Sequence, residues 1–307
     1  MTIEIRGKRK MSYCATIGFF DGVHRGHQYL VSQLMRQAAQ RGEQTMVLTF
    51  DVHPRQALQP GWKPQLLSSL SEKCQQLLAL GVNHVEVLPF TAETAQLSAR
   101  SFMQYMHSEL QVDTLLTGYD NRFGHNRTES FDDYVQYGHE LGMQVVCAEP
   151  LRVGDCEVSS SRIRQLLTNG DVVEGARCLG RPYTLGGTVV HGEQIGRRMG
   201  FPTANLQPAE PLKIIPKDGV YAVYVHLDGA DSLLQGITNI GTRPTFDGTS
   251  RTVETFVFDF DGDLYRHNLS LSFIARLRDE KHFSSAEALA QQMHADVQRA
   301  QKLLQGL

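Results

Sequence analysis

The chain has 307 residues, of which 41% are hydrophobic and 21% are charged. This composition is typical of globular proteins, excludes disordered, collagen-like and coiled-coil chains, and leaves room for two domains. The 30 basic and 33 acidic residues give a formal net charge of −3, which lacks the basic excess of a general nucleic-acid binder.

Membrane and export segments are not expected either. No apolar run approaches the ~20 residues that span a bilayer, and the basic start lacks the apolar core of a secretory signal. The sequence has five cysteines, an odd number, and no two of them form a CxxC pair. This argues against a disulfide framework or a structural zinc site. The sequence therefore predicts a cytoplasmic protein with free thiols and with neither nucleic acid nor membrane as a partner.

The first half of the chain alternates short apolar runs with segments of helical periodicity. The predicted strands are residues 13–18, 44–50, 84–88, 114–118 and 143–148, and the predicted helices are 26–41, 101–110 and 131–141. Ser69 and Glu72 form a capping-box pattern ahead of one more helix. This alternation predicts an α/β domain, a Rossmann-like parallel sheet covered by helices, with ligands beyond the carboxyl ends of the strands.

The second half has a different pattern, which starts after Leu179-Gly180-Arg181-Pro182. Two short helices, 161–167 and 172–178, precede it. The β-rich segments that follow are 187–191, 219–227, 233–240, 252–258 and 269–273, and a last helix spans 284–304. This pattern is typical of an antiparallel barrel or sandwich, of which we favour the barrel. We place the two domains at residues 1–181 and 182–307.

The junction of the first strand and first helix reads GFFDGVHRGH, from residue 18 to residue 27. Its three glycines permit a tight turn and a close approach of the backbone to a ligand, and a helix N-terminus favours anions. His24 and His27 are three residues apart, so on one helical turn they share a face and can donate hydrogen bonds to phosphate oxygens. The alternative is that both histidines are only surface or packing residues. A zinc site is less favoured, because it would need further ligands besides these two histidines.

This junction resembles the HxGH signature of the nucleotidyltransferase superfamily and, more narrowly, the adenylyltransferase half of bacterial bifunctional riboflavin kinase/FAD synthetases. Three later segments are similar to the same family: TFDVHPR at 49–55, TGYDNRFG at 117–124 and VSSSRIR at 158–164. The chain departs from the family's common pattern at Phe19, where many members have Asn, and at Asn121, where many have Phe.

The resemblance implies site residues for this half, with His24 and His27 as the catalytic donors. It implies ATP or phosphate binding by Gly18, Asp21, Gly22, Gly26, Ser160, Ser161 and Arg162, and flavin binding by His53, Pro54, Asp120 and Arg122. Some of these residues also have chemistry that fits without the family. Ser160 and Ser161 can cap a helix, and Arg162 can bind phosphate by charge-assisted hydrogen bonds. Alone, Asp120 is also typical of a turn, and His53-Pro54 of a loop.

A second motif, GRRMGFPTANL, lies at residues 196–206 of the β-rich half. Its glycines suggest loops that approach a ligand. Thr203 offers a hydroxyl oxygen and Asn205 a carbonyl oxygen, and both are hard ligands suited to Mg²⁺. Pro-Thr-x-Asn alone is typical of a turn, and the segment is not a Walker A loop.

The GFPTAN stretch resembles the PTAN motif of riboflavin kinases, and DGVY at 218–221 and NIGTRPTF at 239–246 are similar to the same family. The resemblance implies that Thr203 and Asn205 hold Mg-ATP, with Gly196 and Gly200 in phosphate binding, and that Asn239 and Arg243 bind flavin. It also implies that Glu254 is a general base for the ribityl hydroxyl. Arg266 stands where many members have Gly.

The whole pattern predicts a bifunctional enzyme. The barrel domain phosphorylates riboflavin with ATP to give FMN, and the α/β domain transfers AMP from a second ATP to FMN, giving FAD and pyrophosphate. Both steps are expected to use Mg²⁺. Three alternatives stay open: a nucleotidyltransferase for another acceptor, a riboflavin kinase whose first domain has decayed, and a non-catalytic flavin-binding regulator or RNA-binding module. The sequence does not indicate the oligomeric state.

Overall fold

The computed structural model describes residues 12–59, 61–118, 121–125, 127–151, 158–191, 201–229, 233–245 and 248–305, with the backbone alone at 243–245 and 248–250. The chain divides into two compact units. The first comprises residues 1–64 and 68–157, and the second comprises residues 65–67 and 158–307.

The first unit is built on five parallel strands, which confirms the predicted α/β sheet. They are β1 (Tyr13–Ile17), β2 (Gln44–Phe50), β3 (His84–Leu88), β4 (Val112–Thr117) and β5 (Gln144–Cys147), in the order β3-β2-β1-β4-β5. Most residues of β1, β2 and β4 are buried, as expected for strands covered on both faces. The strand order reverses between β1 and β4, and this switch point is where such sheets bind ligands.

Among the residues that the structure describes, helices and one 3-10 turn (Asp21–Val23) connect these strands. The helices are α1 (Arg25–Arg41), α2 (Pro54–Leu58), α3 (Leu70–Ala79), α4 (Ala92–Gln96), α5 (Ala99–Ser108) and α6 (Phe131–Leu141). The predicted capping box is confirmed at α3, where Ser69 and Glu72 exchange hydrogen bonds of 2.8 and 3.2 Å. His53-Pro54 starts a short helix instead of a loop, because the His53 ring accepts a hydrogen bond from the Arg55 N–H at 3.1 Å.

The second unit contains a closed antiparallel barrel, which confirms the predicted barrel. Its strands are β6 (Tyr183–Val190), β7 (Thr203–Pro208), β8 (Gly219–Leu227), β9 (Leu233–Thr245), β10 (Gly248–Val257) and β11 (Asn268–Arg278), in the order β10-β7-β6-β11-β8-β9. The TAN part of the motif lies in β7 and not in a turn. Ala204 and Leu206 of β7 join the buried core, so Thr203 and Asn205 point to the other face.

In the described part of the second unit the helices are α7 (Ser160–Thr168), α8 (Val172–Leu179) and α9 (Ala286–Leu304). Ile163, Leu167 and Val172 belong to the same buried cluster as the barrel interior, so α7 and α8 fold with the barrel. The functional boundary at residue 181 stays a prediction. On the outer face of the barrel, Ala300 and Leu304 of α9 share a cluster with residues of β8, β9 and β11. Within the described part of the chain, no helix is both long and apolar enough to cross a bilayer.

Candidate active sites

The turn between β1 and α1 has an unusual backbone. Phe20, Gly22 and Val23 have φ values of 52°, 77° and 40°, all in the left-handed region. A β-branched residue such as Val23 rarely adopts this conformation, and such residues cost on the order of 1–3 kcal/mol each. Strain of this kind persists only where surrounding contacts hold it, and it is concentrated at functional sites.

The contacts that hold the turn come partly from the segment before α3. The Asp21 carboxylate accepts a hydrogen bond from the Ser68 N–H at 3.1 Å, and the Ser68 hydroxyl accepts one from the Gly22 N–H at 2.9 Å. Asp21 and Ser68 are both buried. The turn is therefore anchored by side chains, and the Gly22 N–H is used inside the protein. The roles of Asp21 and Gly22 in phosphate binding stay predictions.

His24 and His27 lie together on this turn. His24 caps α1, and its Nδ1 accepts a hydrogen bond from the His27 N–H at 3.4 Å. A ring nitrogen that accepts carries no proton, so the proton of a neutral His24 lies on Nε2. The two rings are stacked, with 3.7 Å between their centroids and 17° between their planes. The predicted pair thus forms one unit at the carboxyl end of the central strand.

The surroundings of His27 favour its neutral form. Burial lowers the pKa of this imidazole well below its usual value, and the nearby His24 and Lys73 lower it further. Its ring packs edge-on against Phe20 at 5.1 Å, and its buried Nδ1 has no hydrogen-bond partner among the described residues. A neutral imidazole offers one N–H, so this residue is suited to donating a hydrogen bond and not to carrying a charge.

A cavity of about 550 Å³ opens at the same end of the sheet, and volumes of this order are common for ligand pockets. It brings together three of the predicted flavin-binding residues, which are His53, Pro54 and Arg122. The fourth, Asp120, lies outside the described residues. Gly18 reaches the cavity, and several aromatic rings line it: Phe19, Phe50, Phe90, Phe102 and Phe123. The walls therefore suit a planar aromatic ligand.

The two departures from the common pattern both lie in this cavity. The Phe19 ring packs edge-on against His53, with 4.8 Å between centroids. The Asn121 amide donates a hydrogen bond of 2.6 Å to the carbonyl of Ile17, which is the last residue of β1. Asn121 therefore has a local structural contact that a phenylalanine could not make.

The serine-arginine segment lies at the start of α7, in the second unit. The helix cap is Ser159 and not Ser160 or Ser161, because the Ser159 hydroxyl accepts the hydrogen bond from the Arg162 N–H at 3.3 Å. Ser161 and Arg162 are exposed. Their predicted contact with ATP stays a prediction.

The second site is defined by strand register. Glu254 of β10 lies opposite Asn205 of β7 on one side and opposite Asn239 of β9 on the other. Thr203 of β7 faces Phe256, two residues further along β10. Side chains directly opposite each other lie on one face with Cβ atoms about 4.5–5.5 Å apart. Three residues predicted from three separate segments therefore meet on the outer face of the barrel.

Two cavities of the second unit share Thr203. One, of about 430 Å³, is lined by Glu254, Asn239 and Phe256 of the barrel and by Leu289 and Met293 of α9. The other, of about 510 Å³, is lined by Ala204, Thr255 and the 260–265 segment. Thr203 thus lies where a ligand in one cavity would meet a ligand in the other. Gly196, Gly200 and the Arg243 side chain lie outside the described residues.

Comparisons with known proteins agree with this two-site arrangement. A family model described as "FAD synthetase" matches residues 7–162, and one described as "Riboflavin kinase" matches residues 179–304. The chain belongs to the bifunctional riboflavin kinase/FMN adenylyltransferase family. A protein of that name from Pseudomonas fluorescens is 37% identical over 94% of this chain and 92% of its own length.

Further relatives of the same name cover the chain almost completely. Those from Listeria monocytogenes and Escherichia coli K12 are each 35% identical, over 92% of this chain and 89% of their own length. Among solved structures, a Streptococcus pneumoniae protein described as a macrolide-efflux protein has a TM-score of 0.87 and 30% identity, over 96% of this chain and 95% of its own. The match of family models and relatives over both units makes this chain an enzyme with both domains of the family.

In this member of the family, sequence reasoning missed two groups beside the sites. Lys73 of α3 is buried and donates hydrogen bonds to the carbonyls of Phe19 and Phe50. Arg278 pairs with buried Asp296 through Nε contacts of 2.9 and 3.1 Å, which ties the end of β11 to α9 beside the smaller barrel cavity. Neither group has a sequence signature, because each depends on partners far away in the chain.

Proposed function

We propose that the barrel unit phosphorylates riboflavin to FMN, and that FMN is then adenylylated at the site that contains His24 and His27, giving FAD. The observation that carries the proposal is the position of Glu254 between Asn205 and Asn239 on adjacent strands, beside a cavity. The same chain has a stacked histidine pair and an aromatic-lined cavity in its first unit. Each activity thus has a separate candidate site.

In the kinase step, riboflavin occupies the cavity beside Glu254 and ATP occupies the neighbouring one. The Glu254 carboxylate accepts the proton of the terminal ribityl hydroxyl while that oxygen attacks the γ-phosphorus. The bond between the γ-phosphorus and the oxygen that leaves with ADP breaks. General-base assistance of this kind is typically worth about 10²–10⁴-fold. The meeting of both cavities at Thr203 supports this arrangement.

The oxygen ligands on β7 fit Mg²⁺. The Thr203 hydroxyl and the Asn205 amide oxygen are hard donors on one face of a strand, and Mg²⁺ takes few protein ligands beside phosphate oxygens and water. A cluster of three or more His, Cys, Asp or Glu side chains that could bind a metal is not found among the described residues. When bound, Mg²⁺ would neutralise phosphate charge, while Thr203 and Asn205 would hold it.

In the adenylyl transfer, an oxygen of the FMN phosphate attacks the α-phosphorus of ATP, and the bond to pyrophosphate breaks. His24 donates from Nε2, and neutral His27 donates its one N–H to phosphate oxygens that gain charge during the step. No group on this turn needs to become covalently attached. The cavity beside His53 and Arg122 receives the flavin ring of FMN.

A cytoplasmic location is part of the proposal. Both steps consume ATP, and all four cysteines that the structure describes are free thiols. Free thiols are typical of a reducing compartment.

The test is a chromatographic time course with riboflavin, ATP and MgCl₂, run in parallel with excess chelator. FMN should appear first and then convert into FAD, and the chelator should stop both steps. FMN that accumulates without FAD would overturn the assignment of the first unit. Flavin binding without turnover of ATP would overturn both catalytic assignments and favour a regulator.

A further inference from the structure

We propose that Lys73 is a positioning residue for adenylyl transfer, which holds the strained turn at residues 18–23 so that His24 and His27 face the phosphates. The inference rests on the proposed role of this histidine pair. It begins from the backbone of the turn, because two of its residues that are not glycine, Phe20 and Val23, have positive φ values and need outside contacts to stay there.

Lys73 supplies such contacts from inside the protein. Its ammonium donates to the carbonyl of Phe19, within the turn, and to the carbonyl of Phe50, at the end of β2, both at 3.0 Å. It also lies 4.2 Å from the centroid of the Phe19 ring. The side chain is 3% exposed. One buried cation therefore joins the carboxyl ends of two neighbouring strands, beneath the predicted flavin cavity.

Ser68, just before α3, and Lys73, within α3, both hold the turn in place through hydrogen bonds. Ser68 binds Asp21 and Gly22, and Lys73, five residues later, binds the carbonyl of Phe19. The Thr49 hydroxyl also donates to this carbonyl, at 3.2 Å. Lys73 nevertheless has a role that Thr49 lacks, because it alone among these donors brings a positive charge close to the histidines.

The charges around Lys73 and His27 give the proposal a second readout. Burial lowers the pKa of Lys73 to about 8, although Asp21, Cys74 and Asp51 act to raise it. Lys73 is therefore still largely charged at pH 7. The pKa of His27 is lowered by three causes, which are burial as the largest, then His24, and then Lys73. We therefore expect the pKa of His27 to rise when the charge of Lys73 is removed.

The test compares Lys73→Met with Lys63→Met in the full chain, since Lys63 is an exposed lysine of the same unit. Displacing reacting groups by about 1 Å can cost on the order of 10²-fold. We expect Lys73→Met to lower kcat for FMN-to-FAD conversion by about this factor, with a smaller change in KM for FMN. Riboflavin kinase activity should be unchanged and serves as the internal standard. Lys63→Met should match the wild type in both activities.

The second measurement is the His27 pKa, followed by NMR in histidine-labelled protein and assigned through the His27→Gln variant. It should rise in Lys73→Met and stay in place in Lys63→Met. A Lys73→Met variant with wild-type FAD formation, or with an unmoved His27 pKa, would overturn the proposal. If this variant loses both activities together, Lys73→Gln is tested, because its amide N–H groups can still donate hydrogen bonds while the charge is absent. Loss of FAD formation alone would then support the proposal, and a parallel loss of both activities would overturn it. A wild type that makes no FAD would instead refute the proposed function.

Discussion

The two candidate sites are held in place by different means. In the barrel, Glu254, Asn205 and Asn239 are aligned by the hydrogen-bonded register of three strands, which fixes their backbones independently of what the side chains do. In the first unit, the histidine turn has a strained backbone that buried side chains hold from outside. Changes to side chains outside the reacting groups should therefore disturb the first site more than the second.

The two sites also differ in the groups that they offer to phosphate chemistry. The barrel site combines one carboxylate with neutral oxygen ligands, which suits proton removal from an alcohol beside a metal. The turn site has two imidazoles, one of them kept neutral by burial and neighbouring charge, which suits donation to phosphate oxygens. The comparison predicts two activities that can be removed one at a time.

The largest expected effect is on the kinase step in Glu254→Gln. An amide cannot accept the hydroxyl proton, so phosphorylation of riboflavin should fall by about 10³-fold, while FMN-to-FAD conversion persists. Separate assays with riboflavin and with FMN measure the two rates. Glu174→Gln, which removes only a surface ion pair with Arg177, should leave both rates unchanged. Near-normal phosphorylation by Glu254→Gln would exclude Glu254 as the base.

His27→Ala is the reciprocal test. Loss of one donor to a charge that develops in the transition state typically costs about 10²–10³-fold, and this loss should appear only in FAD formation. The kinase step should proceed at the wild-type rate because Glu254 and its neighbours are untouched. Equal loss of both activities would contradict separate sites.

Much of the fold could be predicted because periodicity and caps are local properties of a sequence. The predicted bounds of β2, β3, β8 and α6 agree with the structure, since each segment has a clear apolar pattern. Strand β7 was missed because glycine and proline residues before it obscure the short alternation of Ala204 and Leu206. The convergence of Asn205, Glu254 and Asn239 depends on register, which the residues alone do not show.

The supporting contacts were beyond sequence reasoning for a physical reason. In the sequence, Lys73 is an ordinary helix lysine that follows a capping box, and most lysines of this kind are exposed. Its burial depends on two carbonyls supplied by other elements. Asp296 likewise resembles a surface residue of an amphipathic helix until Arg278 is brought beside it.

The Arg278–Asp296 pair provides a test of how much the barrel site depends on side chains. Asp296→Asn leaves a largely buried guanidinium without its countercharge, so the free energy of unfolding should fall by about 3 kcal/mol. Urea unfolding measures this change, and KM for riboflavin should rise because α9 lines the cavity. The control is Asp279→Asn, since Asp279 pairs with Arg276 while it is 75% exposed, and solvent screens such a pair so that its loss should leave the unfolding curve almost unchanged. Equal effects of the two variants would show that burial of the pair is unimportant.

Asn205→Asp examines the metal ligands with a smaller expected effect. It places a second carboxylate opposite Glu254, and ligand charge is one of the factors that set metal affinity. The Mg²⁺ concentration for half-maximal kinase activity should change by about tenfold, while that for FAD formation stays the same. Titration of both steps with MgCl₂ in one preparation makes the comparison. An unchanged kinase titration would remove Asn205 from the metal site.

The smallest expected effect concerns Asn121, which stands where many family members have Phe. Both Asn121→Ala and Asn121→Phe lose the hydrogen bond to the Ile17 carbonyl, which is worth about 0.5–1.5 kcal/mol of folding stability and joins two residues that line the cavity. We expect part of this loss to weaken FMN binding, so KM for FMN should rise in Asn121→Ala, by at most roughly tenfold.

Asn121→Phe loses the same bond but adds a ring to a cavity that already contains Phe19 and Phe123. Aromatic pairs are worth about 0.5–1.5 kcal/mol beyond their buried area, which is enough to offset the lost hydrogen bond. KM for FMN in Asn121→Phe should therefore lie below that in Asn121→Ala, with kinase activity equal in both. A higher KM in Asn121→Phe than in Asn121→Ala would show that this cavity does not accommodate an additional ring.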